Sequence, residues 1–320
     1  MLAFGPVPSR RFGSSLGVNN IPPKRCTYSC VYCQLGPTGS MRVRRRASVP
    51  VRTVARAVEE RLKACQAEGV SVDYLTVVPD GEPTLDALMG AQIRALKAFG
   101  IPVAVITNGS LLWRPEVRDD LSDVGVVSVK VDTTDPQVWR RIDRPARQLR
   151  LPAILKGLEA FAADFSGETW TETMLVKGVN EGADQLRELV SFLEGIAPAR
   201  AFLAVPTRPP AVAGVTPPSA QALVRAHQIF GARLRHVELL VAPESGSFGH
   251  GGDPAEDLLS ILAVHPMPER VARHYLAEAG ADPTLLDELL AEERIEWVGY
   301  RGERFVVGRW GRARNADLVL

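Results

Sequence analysis

The chain has 320 residues, of which 46% are hydrophobic and 23% are charged, close to the usage of ordinary globular proteins. This composition excludes a disordered, collagenous or coiled-coil chain, and no apolar run approaches the ~20 residues that span a bilayer. The start, MLAFGPVPSRRFG, has no apolar core behind a basic end, so we expect no secretory signal. The sequence therefore predicts a cytoplasmic protein that does not bind a membrane.

Charge is unevenly distributed, although the net charge is only +1. Residues 1–58 contain ten Lys and Arg and no Asp or Glu, whereas residues 255–320 carry eight Arg against twelve Asp and Glu. Such asymmetry between the two ends of a chain points to a functional difference between them.

Short apolar runs rich in β-branched residues predict buried strands along most of the chain. They lie at 15–18, 72–78, 102–107, 126–131, 171–176, 201–205 and 237–241. Amphipathic helices are predicted between them, at 51–69, 84–99, 114–123, 151–165, 182–195 and 219–233. The first helix has Ser48 as its predicted N-cap and Gly69 as its stop. This alternation predicts a parallel sheet, either in a partial (β/α) barrel or in an open doubly wound sheet.

The C-terminal part has a different pattern. Residues 243–254 include a Gly- and Ser-rich stretch that predicts a linker between a barrel at 1–242 and a second domain at 255–320. Three short helices, at 255–265, 268–279 and 283–293, precede a hairpin signal at 295–300 and 304–310. These elements predict a small winged-helix-like domain. Its acidic excess weakens a nucleic-acid role, so a lid, a peptide-binding module and a packing domain stay open.

The strongest chemical signal is the C-x3-C-x2-C run of Cys26, Cys30 and Cys33. Thiolates clustered on one loop are typical of iron–sulfur sites, and three of them leave one iron of a [4Fe–4S] cluster open to another ligand. A zinc site is the main alternative, but zinc prefers four ligands and no His or fourth Cys lies at a usual spacing. Cys65 falls on the apolar stripe of the first helix, where we expect a core residue.

With Tyr32 just before the last cysteine, this motif resembles that of the radical S-adenosylmethionine (SAM) enzymes. The resemblance implies a partial (β/α)6 barrel with the cluster loop after the first strand. It also implies two cofactors, a [4Fe–4S] cluster on the three cysteines and SAM on the open iron. Reductive cleavage of SAM then yields a 5′-deoxyadenosyl radical that abstracts hydrogen from a substrate.

Further residues match the family in order, and the resemblance makes them candidates for SAM binding. Asp80, Gly81 and Glu82 stand where the family has Gly-Gly-Glu, and Glu82 would hold the SAM ammonium group. Asn108 follows the third predicted strand, with a simple turn as its alternative role. Lys130 and Asp132 lie two residues apart on the fourth, hence on one face, where relatives bind the SAM ribose or carboxylate, with a structural ion pair as the alternative.

Within the superfamily, the chain resembles single-cluster proteins related to the wyosine-forming tRNA enzymes. The resemblance rests on stretches such as 5–11, 15–20 and 173–180, but the second cysteine set of the wyosine enzymes is missing. It suggests an RNA substrate. A protein that is activated or modified and a small phosphorylated metabolite stay open, with Arg10, Arg11 and Arg208 as substrate-binding candidates.

The dense basic run has three interpretations. Its arginines, Arg42, Arg44, Arg45 and Arg46, form a solvated face, contact RNA phosphates, or dock an acidic electron donor such as reduced flavodoxin or ferredoxin. A zinc-stabilised nucleic-acid-binding module without catalysis is the alternative of another functional class.

Overall fold

The computed structural model describes residues 2–39, 41–241, 248 and 253–309. Its main element is an open, curled sheet of eight strands that follow one another in chain order. The strands are β1 (Ala3–Ser9), β2 (Gly13–Val18), β3 (Tyr74–Val77), β4 (Val103–Thr107), β5 (Val126–Lys130), β6 (Glu168–Met174), β7 (Arg200–Ala204) and β8 (Val237–Leu240). β1 is antiparallel to β2, and every later pair is parallel.

Helices connect the parallel strands, and most helices that follow one another in the chain are in contact. They are α1 (Val51–Ala67), α2 (Met89–Lys97), α3 (Pro115–Leu121), α4 (Pro136–Ile142), α5 (Leu151–Asp164), α6 (Ala183–Ile196) and α7 (Ala220–Gly231). The main hydrophobic core joins residues of these helices to residues of the sheet. A doubly wound sheet would place its helices on both faces, so this arrangement confirms the predicted partial barrel.

Most predicted elements of the barrel are confirmed with small boundary shifts, but four details of it differ. The sheet contains an additional antiparallel strand, β1, and α4 was not predicted. The predicted N-cap Ser48 is wrong, because α1 begins after Pro50 and has no side-chain cap. A 3₁₀ turn at Pro83–Leu85 precedes α2, because the Glu82 side chain accepts a hydrogen bond from the Thr84 amide and caps that turn instead.

The β1–β2 hairpin closes one end of the barrel. Its turn lies where the parallel strands begin, since Ser9 pairs with Gly13 at the start of β2. The Phe12 ring enters the inner face of the sheet and stacks on Trp170 of β6, with 5.1 Å between ring centroids. A second apolar cluster on that face thus forms a floor under the barrel interior.

The C-terminal part has its own hydrophobic core. It contains α8 (Pro254–Leu262), β9 (Met267–Pro268), α9 (Glu269–Glu278), α10 (Leu285–Ala291), β10 (Ile295–Tyr300) and β11 (Glu303–Gly308). The three strands form an antiparallel sheet in the order β10–β11–β9. The winged-helix assignment and the domain boundaries stay predictions, and most of the predicted linker lies outside the described residues. Throughout the described ranges, no helix is long and apolar enough to cross a bilayer.

Candidate active site

All three motif cysteines line one cavity of about 280 Å³ inside the barrel. They belong to the long loop between β2 and α1. Backbone hydrogen bonds fix this loop to the end of α4, from the Ser29 amide to the Asp143 carbonyl (3.0 Å) and from the Val31 amide to the Ile142 carbonyl (2.9 Å). A larger groove of about 690 Å³ lies between α6 and α7, but none of the predicted site residues lines it.

The loop after β3 contacts the start of the cysteine loop through its backbone. The Lys24 amide donates to the Asp80 carbonyl (2.8 Å), and the Glu82 amide donates to the Arg25 carbonyl (2.9 Å). Gly81 has a φ of +151°, and a Cβ there would lie 1.9 Å from the Arg25 carbonyl oxygen. Only glycine allows so close an approach, and this contact brings Glu82 next to the cysteines.

Glu82 is 1% exposed and lines the cavity. The cysteine loop and Asn108, which follows β4, line the same cavity. Oε1 accepts hydrogen bonds from the Thr84 amide (3.1 Å), the Thr84 hydroxyl (2.6 Å) and the Thr107 hydroxyl (2.6 Å). Oε2 accepts one from the Asn108 amide (2.8 Å). Burial raises the pKa of Glu82, although these four donors oppose the shift. Every one of these donors is neutral, so no cation among the described residues is hydrogen-bonded to this carboxyl group.

Asn108 serves both as a turn residue and as a contact of the cysteine loop. Its Oδ1 accepts a hydrogen bond from the Ser110 amide (3.0 Å), as a turn residue would. Its Nδ2 donates to the Thr27 hydroxyl (2.8 Å) and lies 3.6 Å from the Cys26 sulfur. The loop after β4 thus contacts the first cysteine.

The donor set fits an iron–sulfur cluster. Burial, with a further contribution from Glu82, raises the pKa of the Cys26 thiol to about 12, and burial and Asp143 raise that of Cys30 well above its usual value. Half-buried thiols of this kind bind as thiolates when metal ions supply the opposing positive charge. Among the described residues, no group of three or more His, Cys, Asp or Glu is arranged to hold a single metal ion.

Tyr32 links the cysteine loop to the fourth parallel strand. Its hydroxyl donates to Asp132 and lies 3.4 Å from Asp143 Oδ1. Asp132 also accepts a hydrogen bond from the Met174 amide (2.7 Å) and lines a small cleft next to the main cavity. Burial raises the pKa of Asp132. Burial and the nearby Asp132 carboxylate raise the pKa of Asp143. Asp132 therefore lies behind Tyr32 instead of facing the cavity.

The alternative role predicted for Lys130, a structural ion pair with Asp132, is wrong, because Lys130 pairs with Glu172 instead. Its Nζ donates to Glu172 Oε1 on β6 (2.6 Å) and lies 4.8 Å from the centroid of the Tyr32 ring. Burial would lower the pKa of Lys130, but the carboxylates of Glu172 and Asp132 raise it to about 12. Lys130 is therefore protonated and connects Glu172 with the cysteine loop.

Arg11 reaches the same carboxylate from the hairpin turn. Its Nη1 donates to Glu172 Oε2 (2.5 Å) and to the Ser128 hydroxyl (3.0 Å). Burial would raise the pKa of Glu172, but Arg11 and Lys130 lower it to about 2. Arg11, Lys130 and Glu172 form what we call the floor triad. Sequence reasoning missed Glu172, although a lone carboxylate within a strand predicted to be buried is a usable signal.

The remaining candidates have different surroundings. Arg10 lines the main cavity, and so does Arg208, whose Nη1 donates to the Gln34 side chain (2.8 Å) and whose Nη2 lies 2.9 Å from His265 Nε2. Arg208 thus bridges the cysteine loop and the C-terminal part. Asp80 is buried and lines a small cleft beside the C-terminal part instead of the main cavity.

The basic run is not uniform, and its interpretation as four equivalent arginines is wrong. Arg45 is only 9% exposed and donates to the carbonyls of Thr84 and Asp86 (2.8 Å each) and to Asp120. These contacts fix the end of the cysteine loop, so Arg45 has a structural role. Arg42, Arg44 and Arg46 are exposed.

Comparison with known proteins agrees with this geometry. The family model of the radical SAM superfamily matches residues 20–193, more than half of the chain. The chain belongs to the radical SAM superfamily. A UPF0026 protein of Methanocaldococcus jannaschii is 38% identical over 306 residues, which cover 95% of each chain. A GTP 3′,8-cyclase of Rhodopseudomonas palustris is 31% identical over 182 residues, 54% of this chain and 47% of that enzyme.

Solved structures share the fold of the barrel. A radical SAM methyltransferase from Sphaerobacter thermophilus superposes with a TM-score of 0.56 at 17% identity, covering 71% of this chain and 67% of its own. TYW1 with a lysine–pyruvate adduct bound has a TM-score of 0.53 at 14% identity, covering 69% and 74%. The open, curled sheet is therefore the half-barrel of radical SAM proteins, and membership of that superfamily implies a [4Fe–4S] cluster and SAM.

Proposed function

We propose that this protein is an enzyme that holds one [4Fe–4S] cluster on Cys26, Cys30 and Cys33 and binds SAM beside it. The observation that carries the proposal is the convergence of these three cysteines, Glu82 and Asn108 on one cavity. When bound, the cluster supplies an electron for reductive cleavage of the SAM sulfonium, which produces a radical that abstracts hydrogen. The chain's own residues bind, orient and enclose the reactants.

Glu82 is our candidate for the SAM ammonium group. Its buried carboxylate accepts hydrogen bonds only from neutral donors among the described residues. A cationic ligand group in the cavity offsets that charge, and a charge-assisted hydrogen bond is stronger than a neutral one. Gly81 supports this role because it permits the close backbone contact that sets the position of Glu82.

Asn108 is our candidate for positioning the first cysteine. Its side-chain amide lies 3.6 Å from the Cys26 sulfur and is itself held by Thr27. Hydrogen bonds to the sulfurs are one of the means by which proteins set cluster potentials. Tyr32, between Lys130 and Asp132, supports the opposite side of the same loop.

The exposed arginines of the basic run are our candidate docking site for an acidic electron donor such as reduced flavodoxin or ferredoxin. Arg42 is close to the cluster position, because its amide donates to the Cys26 carbonyl (2.9 Å). A positive patch there steers a negatively charged partner to the cluster. If the substrate is RNA, the same arginines instead contact phosphates, and binding then weakens steeply with salt.

Anaerobic reconstitution with iron and sulfide tests the proposal. We expect about four irons per chain, as one [4Fe–4S] cluster requires, and an EPR signal of the reduced cluster that changes when SAM is added. Reduction by dithionite should yield 5′-deoxyadenosine. Cys33→Ala should abolish the signal and the product, whereas Cys65→Ala, in the core of the first helix, should keep both. One zinc per chain and no cluster would support the non-catalytic alternative.

A further inference from the structure

The floor triad lines the same cavity as the cysteines, and the roles proposed above for Glu82 and Asn108 use neither Arg11 nor Glu172. Arg11 and Lys130 approach Glu172 from two directions, at 2.5 and 2.6 Å. The three residues come from the hairpin turn, from β5 and from β6, so the barrel itself brings them together. All three line the cavity, together with Arg10 from the same turn.

The solvent exposure of the three side chains determines which of their charges a ligand in the cavity contacts. The side chain of Glu172 is 8% exposed, whereas that of Arg11 is 16% and that of Lys130 is 24% exposed. The carboxylate is thus the more deeply buried partner, and the two cations face the cavity. Two positive charges against one leave the triad with a formal charge of +1.

Arg11 keeps donors for a ligand. Both hydrogen bonds described for its guanidinium leave from Nη1, to Glu172 and to Ser128. A guanidinium carries five N–H groups in a planar fork that suits the paired oxygens of a carboxylate or phosphate. Glu172 therefore holds this fork and the Lys130 ammonium in place without neutralising both.

We propose that the floor triad is an oxyanion-binding subsite and that the substrate is a small molecule carrying a carboxylate or phosphate group. That group binds between Arg11 and Lys130, and the rest of the substrate extends toward the cysteines. The inference rests on the proposed function, because it takes the cysteine end of the cavity as the place of reaction. The cavity of about 280 Å³ and the Arg208 bridge from Gln34 to His265 favour a small substrate over a folded macromolecule.

The direction in which two substitutions change oxyanion affinity distinguishes a binding subsite from structural support. Arg11→Gln removes one cation and the planar fork, so oxyanion binding should weaken by at least about tenfold. Glu172→Gln removes the only negative charge of the triad, so oxyanion binding should strengthen severalfold. A triad that merely supports the barrel predicts that both variants weaken binding or unfold.

The experiment is isothermal titration calorimetry of the reconstituted, SAM-loaded protein with inorganic phosphate and, in a second arm, acetate. The proposal is supported if phosphate or acetate binds saturably, Arg11→Gln weakens that binding and Glu172→Gln strengthens it. The anion that binds identifies the substrate group as a phosphate or a carboxylate. Arg187→Gln, which changes an exposed arginine of the outer groove, is the matched control and should leave binding unchanged. Lys130→Gln is a second loss variant should Arg11→Gln fold poorly.

Three results would overturn the subsite. They are the absence of saturable binding of either anion to the wild type, weakened anion binding in Glu172→Gln, and an Arg11→Gln variant that loses affinity for SAM instead of the anion. Formation of 5′-deoxyadenosine with dithionite is measured in parallel. Failure of that reaction with intact anion binding counts against the proposed function, whereas the reverse result counts against the subsite alone.

Discussion

The two ends of the barrel cavity each contain one buried carboxylate, but the partners of the two carboxylates differ in charge. At the cysteine end, Glu82 accepts four hydrogen bonds from neutral amides and hydroxyls. At the floor, Glu172 forms ion pairs with Arg11 and Lys130. The first arrangement gives the carboxyl group no cationic partner among the described residues, and the second sets two cations against one carboxylate.

This difference shows that burial alone does not determine what an acidic residue does. Burial disfavours the charged form at both positions. Neutral donors offset that effect only in part, so the pKa of Glu82 is raised, whereas two cations reverse it and hold the pKa of Glu172 at about 2. The cavity is therefore polarised, with a place for a cationic group near the cysteines and for an anionic group at the floor.

The largest expected effect is on stability in acid. The folded pKa of Glu172, about 2, lies below its usual 4.5, so its contribution is complete above pH 4.5 and is lost as pH falls toward 2. This difference in pKa corresponds to about 3 kcal/mol of folding free energy. Urea unfolding between pH 6 and 2 should show the free-energy difference between wild type and Glu172→Gln changing by about that amount.

Glu82→Gln is the matched control for this measurement. Because the folded pKa of Glu82 is raised, its contribution has the opposite sign and decreases as pH rises through that pKa. The two variants should therefore diverge from wild type in opposite directions. Parallel curves for Glu172→Gln and wild type would show that the floor triad does not hold its charge, and the contrast between the two ends would fail.

The next effect is on SAM affinity. Glu82→Ala removes the uncompensated carboxylate at the cysteine end, and loss of a hydrogen bond to a charged group weakens binding by roughly tenfold or more. Calorimetry of the reconstituted protein measures this, and an unchanged iron content checks that the cluster still assembles. Unchanged SAM affinity would remove Glu82 from the SAM site and leave it a purely structural cap of its turn.

The smallest effect tests the same distinction between paired and exposed charges outside the cavity. Arg45→Gln breaks partly buried hydrogen bonds to Thr84, Asp86 and Asp120, and should lower the free energy of unfolding by roughly 1–2 kcal/mol. The exposed Arg44→Gln should change it by less than about 0.5 kcal/mol. Thermal melts of the two variants provide the comparison, and equal losses would contradict the separation of Arg45 from its neighbours.

The local sequence was informative wherever the signal lies in spacing or in an uninterrupted pattern. The three cysteines, the residue before the last of them and the Asp-Gly-Glu turn after β3 are short-range motifs, so they identified the cysteine end of the cavity. Continuous apolar runs identified the parallel strands, because strands buried on both faces need apolar residues at nearly every position. One missed helix, α4, does have a local signal, since Asp135 caps it and Pro136 begins it.

Only the tertiary structure determined the floor of the cavity. Arg11 and Glu172 are 161 residues apart in the chain, and Lys130 and Glu172 are 42 apart. Their contacts depend on the parallel register of β5 with β6, in which Lys130 lies beside Glu172, and on the antiparallel hairpin that turns Arg11 inward. Arg45 and Arg44 are adjacent and identical in type, yet Arg45 is half-buried and paired with Asp120, whereas Arg44 is exposed. Charge and spacing cannot distinguish such neighbours, because the deciding partners arrive from distant strands and loops only when the barrel has formed.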